Sequence, residues 1–263
     1  MYAFDFEKPT TVEAAVAALS DEDAQALSGG QTLIPTLKQR LAMPSKLVSL
    51  ASIPELQGVC RNDAGQVCVG AATTHAAVAS EVATAYPALA ALAGNIGDPA
   101  VRNRGTIGGS VANNDPSACY PAAVLASGAT LITNTREIPA DTFFDGMFTT
   151  ILDEGEILTE IRFPVPQAAD YQKFVQPASR FALVGVFVAN FAEGARVAVT
   201  GASNDGVFRW TEAEEALSAN FSPDAINGLT VDAGDMIGDL HGTPEYRAHL
   251  VGVMTKRAVA AAS

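Results

Sequence analysis

The segment Gly105–Pro116, GTIGGSVANNDP, decides how this chain is read. Gly105, Gly108 and Gly109 fall within a five-residue span of a polar run, and no Lys or Arg follows them as a nucleoside-triphosphate loop requires. A second glycine turn lies upstream, SGGQT at Ser28–Thr32. Glycine tolerates positive φ and lets main-chain N–H groups approach a ligand. Successive inward amides form an anion nest, and a helix N-terminus adds positive potential. Each turn reads as a strand–turn junction flanked by hydroxyls: Ser28 and Thr32 in one, Thr106 and Ser110 in the other. Neither is a G-x-G-x-x-G after a strand, and GGQTLIPTLK lacks the Gly-Lys-Ser/Thr ending of a P-loop. The residues alone leave two readings open: tight turns in a compact fold, or a cradle for a diphosphate-bearing cofactor.

Bulk properties narrow the classes. With 263 residues, 48% of them apolar, the chain can bury one large core or two smaller ones. A net charge of −13, from 29 acids against 16 bases, argues against nucleic acid or a bare anionic membrane as partner. No apolar run approaches the ~20 residues of a membrane span. The N-terminal MYAFDFEKPTT carries acids where a signal peptide needs bases, so a cytoplasmic location is expected. Cys60, Cys68 and Cys119 form no CxxC pair and read as neither a disulfide framework nor an iron–sulfur site. His75, His241 and His249 are too dispersed to suggest zinc, and no Ser-His-Asp set or acid/base carboxylate pair stands out.

The opening pattern is strand, helix, strand, helix, strand. TTVEAAVAAL begins a helix in which Thr10 and Glu13 fit a capping box and Val12, Ala15, Val16 and Leu19 recur at helical spacing. AQAL reads as a short buried strand entering Ser28. A helix from Thr32 places Leu33, Leu37 and Leu41 on one face, with Pro35 in its first turn, and KLVSL is again a strand. A new unit starts near Ile53. GVCRNDAGQVCVG predicts a hairpin turning at Asp63–Gly65, and AYPALAALAGNIG a helix behind Pro87 that ends at Gly94 or Gly97. DPSACYPAAVLASGA predicts a helix with Asp115 as cap and Pro116 first, although Pro121 points to a later start. ATLIT and EILTEIRFP are strands, and Pro164-Val165-Pro166 marks a boundary. Beyond it YQKFVQ, ALVGVFVANF and RVAVTGA predict an antiparallel sheet, joined by helices at TEAEEALSA and PDAINGL. The closing helix behind Thr243 has Tyr246, Leu250, Val253 and Met254 on one face.

LSGGQTLIPTLKQRLAMPSKLVSL and IGDPAVRNRGTIGGSVANNDPSACYPAAVLA together resemble the two flavin segments of the FAD-binding medium subunit of molybdenum hydroxylases. That group includes carbon monoxide dehydrogenase and xanthine dehydrogenase. FALVGVFVANF and DLHGTPEYRAHL resemble the group's C-terminal flavoprotein domain, so the similarity runs through the whole chain in order. The resemblance implies an α+β fold: a two-lobed FAD-binding domain of the vanillyl-alcohol-oxidase-like type over 1–166, with lobes at about 1–52 and 53–166. A C-terminal antiparallel sheet with helices follows over 167–263. It implies that Ser28, Gly29, Gly30, Gln31 and Thr32 wrap the diphosphate of FAD from one side. Thr106, Ile107, Gly108, Gly109 and Ser110 meet it from the other, with Asn113 nearby. Leu158 and Lys173 match positions near the isoalloxazine ring, and Ile96 a position on a ring face. The family commonly has an acid two residues before the proline of its helix; here that position is Cys119, a weak hydrogen-bonding partner. FAD is then held less tightly, or Asp115 compensates.

The resemblance also implies partners. A large subunit with a molybdenum cofactor (molybdopterin) oxidises the substrate, and a small subunit carries two [2Fe–2S] clusters. This chain passes the electrons to an acceptor such as NAD or a quinone, within a dimer of heterotrimers. Two other readings stand beside it: a stand-alone FAD-dependent oxidoreductase with its own substrate pocket, and a scaffold that has lost FAD. Arg102 and Arg104 in VRNRG read as a solvated basic pair, the other reading being that they face an acidic partner or the cofactor.

Overall fold

The computed structural model describes residues 1–177 and 179–262, and it is built on three sheets. The first lobe runs β1 (Asp5–Glu7), α1 (Val12–Leu19), β2 (Ala24–Leu27), α2 (Leu33–Lys38) and β3 (Lys46–Ser49). Its strands pair in parallel in the order β1-β3-β2, with helical crossovers as parallel neighbours require. Leu47 and Val48 of the central β3 are buried, whereas β2 is an edge strand. AQAL is therefore half exposed rather than buried. Thr11, not Thr10, caps α1: its Oγ1 accepts from the Ala14 N–H at 3.2 Å, so the capping box with Glu13 does not form. The α2 helix stops at Lys38, leaving Leu41 outside it and 73% exposed.

The second lobe comprises β4 (Val59–Arg61), β5 (Val67–Gly70), α3 (His75–Glu81), α4 (Pro87–Gly94), α5 (Pro99–Arg102), α6 (Ile107–Asn113), α7 (Tyr120–Ala126), β6 (Thr130–Thr133), β7 (Glu137–Pro139), α8 (Ala140–Phe143) and β8 (Leu158–Phe163). Its antiparallel sheet has the order β4-β5-β8-β6-β7. The hairpin through Asp63–Gly65 and the helix behind Pro87 form as read. Asp115 is not a helix cap: its Oδ1 accepts from the Ser117 N–H at 2.8 Å in a turn, and α7 starts at Tyr120 with Pro121 in its first turn. There the missing proline amide has no partner to lose.

The last sheet, β9 (Ala168–Val175), β10 (Ala182–Phe191), β11 (Gly194–Ser203) and β12 (Gly206–Arg209), is antiparallel in the order β12-β11-β10-β9. The continuous apolar run of β10 is explained by burial on both faces. Val184, Val186 and Val188 pack under α9 (Thr211–Ala219) and α10 (Pro244–Ala262). Phe187 and Ala189 alternate to the opposite face and join the core of the second lobe. PDAINGL is a single 3-10 turn at Pro223–Ile226. On α10 the buried stripe is Arg247, Leu250, Val251, Met254, Thr255, Ala258 and Val259, and Tyr246 lies off it at 41% exposure. Among the described residues no helix is long and apolar enough to cross a membrane.

Arg247 is only 3% exposed and fastens α10 to the sheet. Its Nη1 donates to the carbonyls of Leu183 and Gly201, each at 2.7 Å, and its Nη2 to Asp239 Oδ2 at 2.8 Å. Replacing Arg247 by Met strands two buried carbonyls and removes one partner of Asp239, which keeps the His241 and Gly242 N–H groups. The expected loss is about 3 kcal/mol, read as a lower urea midpoint. Arg247→Lys should not restore it, because an ammonium lacks the planar fork.

Candidate functional site

The two glycine segments meet in space. The Ser28 and Thr106 hydroxyl oxygens are 2.7 Å apart and share a hydrogen bond. Gly29 lies so close to the main chain of the second segment that a Cβ there would strike the Arg104 carbonyl oxygen and sit 2.6 Å from Gly105 Cα. A Cβ on Gly109 would lie 2.8 Å from Thr106 Oγ1 and 3.3 Å from Ser28 Cβ. The first segment follows the C-terminal end of β2, where open α/β sheets bind ligands.

The segments do different things. Residues 29–32 lie between β2 and α2 with Gly30 at φ +70°. Among the described residues, the main-chain N–H groups of Gly29, Gly30, Gln31 and Thr32 donate to no protein acceptor. Main-chain N–H groups are obligatory donors, so four consecutive unclaimed ones in residues that line a cavity suit an anion. The second segment is not a strand–turn junction. Thr106 caps α6, its Oγ1 accepting from the Gly109 N–H at 3.2 Å, and Ile107, Gly108 and Gly109 form the first helical turn. Its amides are spent on protein: Ile107 N–H bonds the Thr73 carbonyl, Gly108 N–H that of Ala71 and Ser110 N–H that of Thr106. Gly108 is needed because a Cβ would collide with Ala71, 2.6 Å from its carbonyl oxygen.

A cavity of about 640 Å³ opens between the lobes, within the range of cofactor sites. Ser28, Gly29, Gly30, Gln31, Thr32, Thr106, Gly108, Gly109, Ser110, Asn113, Cys119, Leu158 and Lys173 all line it, as do Ile96 and Asp115. Ile107 alone of the sequence-selected residues does not; its side chain is fully buried in the core of the second lobe. Lys173 Nζ donates to the carbonyls of Asn95 at 2.7 Å and Arg180 at 3.0 Å, and lies 3.6 Å from Cys119 Sγ. Arg102 is no solvated partner of Arg104: its Nη1 donates to the carbonyls of Ile96 and Gly97, each at 3.0 Å, and shapes the cavity wall.

Several residues in or behind the cavity wall gave no signal in the sequence. Burial, helped by the charge of Arg102, lowers the His75 pKa to about 4, so the ring is neutral at pH 7. His75 Nε2 would lie 2.5 Å from a Cβ on Gly105. Asn114, left-handed at φ +44°, ends α6. Its Nδ2 ties down the carbonyls of Gly146 and Thr149, at 2.7 and 2.8 Å, positioning the loop that carries Phe148. Glu156 also lines the cavity, but its carboxylate is claimed by Arg136, Thr133, Thr135 and the Asp153 N–H. Hydrogen bonds from Arg136 and these partners hold its pKa at about 2.

The family model for the FAD binding domain in molybdopterin dehydrogenase matches residues 2–166. The carbon monoxide dehydrogenase medium chain of Hydrogenophaga pseudoflava is 34% identical over 279 residues, spanning 98% of this chain and 96% of that one. The nicotine 6-hydroxylase medium subunit of Paenarthrobacter nicotinovorans is 32% identical over 276 residues, again spanning 98% and 96%. The solved structure of reconstituted CO dehydrogenase from Oligotropha carboxidovorans aligns with a TM-score of 0.89 at 31% identity, covering 99% of this chain and 98% of that one. The chain belongs to the FAD-binding medium subunits of the molybdenum hydroxylases, an oxidoreductase family.

Glu156 makes stability pH-dependent. Its folded pKa of about 2 lies below the ordinary 4.5, so its contribution is complete above pH 4.5 and is lost as pH falls toward 2. Urea midpoints of the wild type should fall across that window, and Glu156→Gln should flatten this part of the profile.

Proposed function

We propose that this chain is the FAD-carrying electron-transfer subunit of a cytoplasmic molybdenum hydroxylase. It takes electrons from the [2Fe–2S] clusters of a small subunit and delivers them to an external acceptor such as NAD or a quinone. A large molybdopterin-bearing subunit oxidises the organic substrate, and the assembly is a dimer of heterotrimers. Residues 1–166, in lobes of about 1–52 and 53–166, form the FAD-binding domain, and a C-terminal domain begins at 167.

The observation that carries this reading is the row of unclaimed N–H groups from Gly29 to Thr32, held against Thr106 by the Ser28 hydrogen bond. These four amides would hold the pyrophosphate of FAD. Thr106 and Ser110 add hydroxyls, Asn113 an amide, and Gly109 leaves open the space a side chain would fill. Ile96 and Leu158 supply apolar wall for the ring, and Lys173, anchored on two carbonyls beside Cys119, borders it. Bound FAD supplies one- and two-electron redox chemistry. Further support comes from the ionisable groups. His75 is neutral and buried, Glu156 is locked to Arg136, and Asp115 bonds the Ser117 amide. Two groups of this set, His75 and Glu156, are thereby withheld from proton transfer, which suits a pocket that positions a cofactor.

The purified full chain should be yellow, and Gly29→Ala should weaken FAD binding at least about tenfold, equivalent to ~1.4 kcal/mol, while the far-UV spectrum is unchanged. Substrate turnover should appear only when the large and small subunits are added. Turnover by the chain alone would instead support a self-sufficient flavoenzyme, and a colourless chain that takes up no FAD would refute the assignment. Restoring an acid with Cys119→Asp places a carboxylate beside Lys173. Calorimetric titration should then show FAD bound about three- to tenfold more tightly.

A further inference from the structure

The hairpin at the edge of the second lobe joins two thiols that the sequence keeps apart. Cys60 of β4 lies directly opposite Cys68 of β5. The flanking bonds, Gly70 N–H to the Gly58 carbonyl at 3.0 Å and Asn62 N–H to the Gln66 carbonyl at 3.2 Å, fix the alternation of the ladder. By that alternation Cys60 and Cys68 form a hydrogen-bonded pair, whose Cα atoms are normally about 5.5 Å apart. That separation falls inside the roughly 4.4–6.8 Å Cα range of disulfides, and closing the bridge draws the Cβ atoms in from the about 5.5 Å of such a pair to about 4 Å. Their sulfur atoms and a Glu160 carboxylate oxygen all lie within 4.8 Å of one another. Cys60 is exposed and Cys68 buried. The same sheet face carries Arg162, whose Nε donates to Glu160 at 2.6 Å and whose Nη1 donates to Glu137 at 2.9 Å. A metal ion would need Glu160 as its third ligand and would sit against this fixed guanidinium, so the chemistry left to the cluster is that of the two thiols.

We propose that Cys60 and Cys68 are a cross-strand dithiol that a low-molecular-weight disulfide oxidises to an intramolecular disulfide. The order of events follows from burial. Desolvation, with Glu160 and Cys60 adding to it, pushes the Cys68 thiol up to about 11, which leaves exposed Cys60 as the attacking sulfur. The Cys60 sulfur displaces one thiolate from the reagent and forms a mixed disulfide, its proton leaving to the first released thiol. Cys68 then attacks the Cys60 sulfur, gives up its proton and expels the second thiol. In sum the two cysteines lose two protons and two electrons, and the reagent disulfide gains them. The bridge ties the strand whose continuation, Ala71 and Ala72, lines the cavity.

The test uses the full-length chain incubated with oxidised glutathione under native conditions, then acid-quenched and denatured. Free thiols should fall from three to one, and the intact mass should drop by about 2 Da. Trypsin cuts after Arg61, so peptides 47–61 and 62–102 should travel as one species until reduced. Cys68→Ser should stall as a glutathione adduct on Cys60, and Cys60→Ser should keep both remaining thiols. Three thiols surviving in the wild type, arrest at a Cys60 adduct, or a bridge that includes Cys119 would each overturn the proposal.

Discussion

The contact between the two glycine segments is the constraint on which the site depends. Ser28 bonds Thr106, and Gly29 accepts the main chain at Arg104–Gly105 in a space too small for a Cβ. That approach sets the first lobe against the second and leaves the cavity between them. It also explains why glycine is needed at Gly29 for closeness rather than for an unusual φ. Gly30 serves the other purpose, its positive φ turning the chain into α2 so that successive amides stay unclaimed.

The second segment supports this arrangement from behind. Gly108 lets α6 lie on Ala71, the Ile107 side chain fills the core, and Asn114 closes the helix and holds the Phe148 loop. The C-terminal sheet contributes both core and cavity: Phe187 and Ala189 complete the packing of the second lobe, while Lys173 on neighbouring β9 reaches Asn95. Two ionisable groups at the cavity are held in a single charge state for different reasons: burial beside Arg102 keeps His75 neutral, and hydrogen bonds from Arg136 and its neighbours keep Glu156 ionised. The result is a cavity whose unclaimed donors lie in the backbone of residues 29–32.

Much of the fold was legible in the residues. Alternation and turn chemistry located the Asp63–Gly65 hairpin, and helical spacing located the helix behind Pro87 and the long last helix. The long apolar strand β10 showed itself by an unbroken run that only burial on both faces allows. Local capping was harder. Thr10 and Thr11 are equivalent in a window, and the extended backbone and the bond from the Ala14 N–H fall to Thr11. Leu41 fits a helical stripe on paper, but α2 ends before it.

By itself the sequence located most strands and helices and the two glycine segments, because glycine, hydroxyl and hydrophobic spacing are local properties; that the segments serve one site in an α+β fold came from the family resemblance. Only the tertiary structure decided which of those segments offers free amides, since an amide is free only if no distant carbonyl has taken it. It also decided that Arg102 shapes a wall and that Cys60 faces Cys68. Both depend on strand register and loop closure, which bring together groups whose separation along the chain carries no signal of their distance in space.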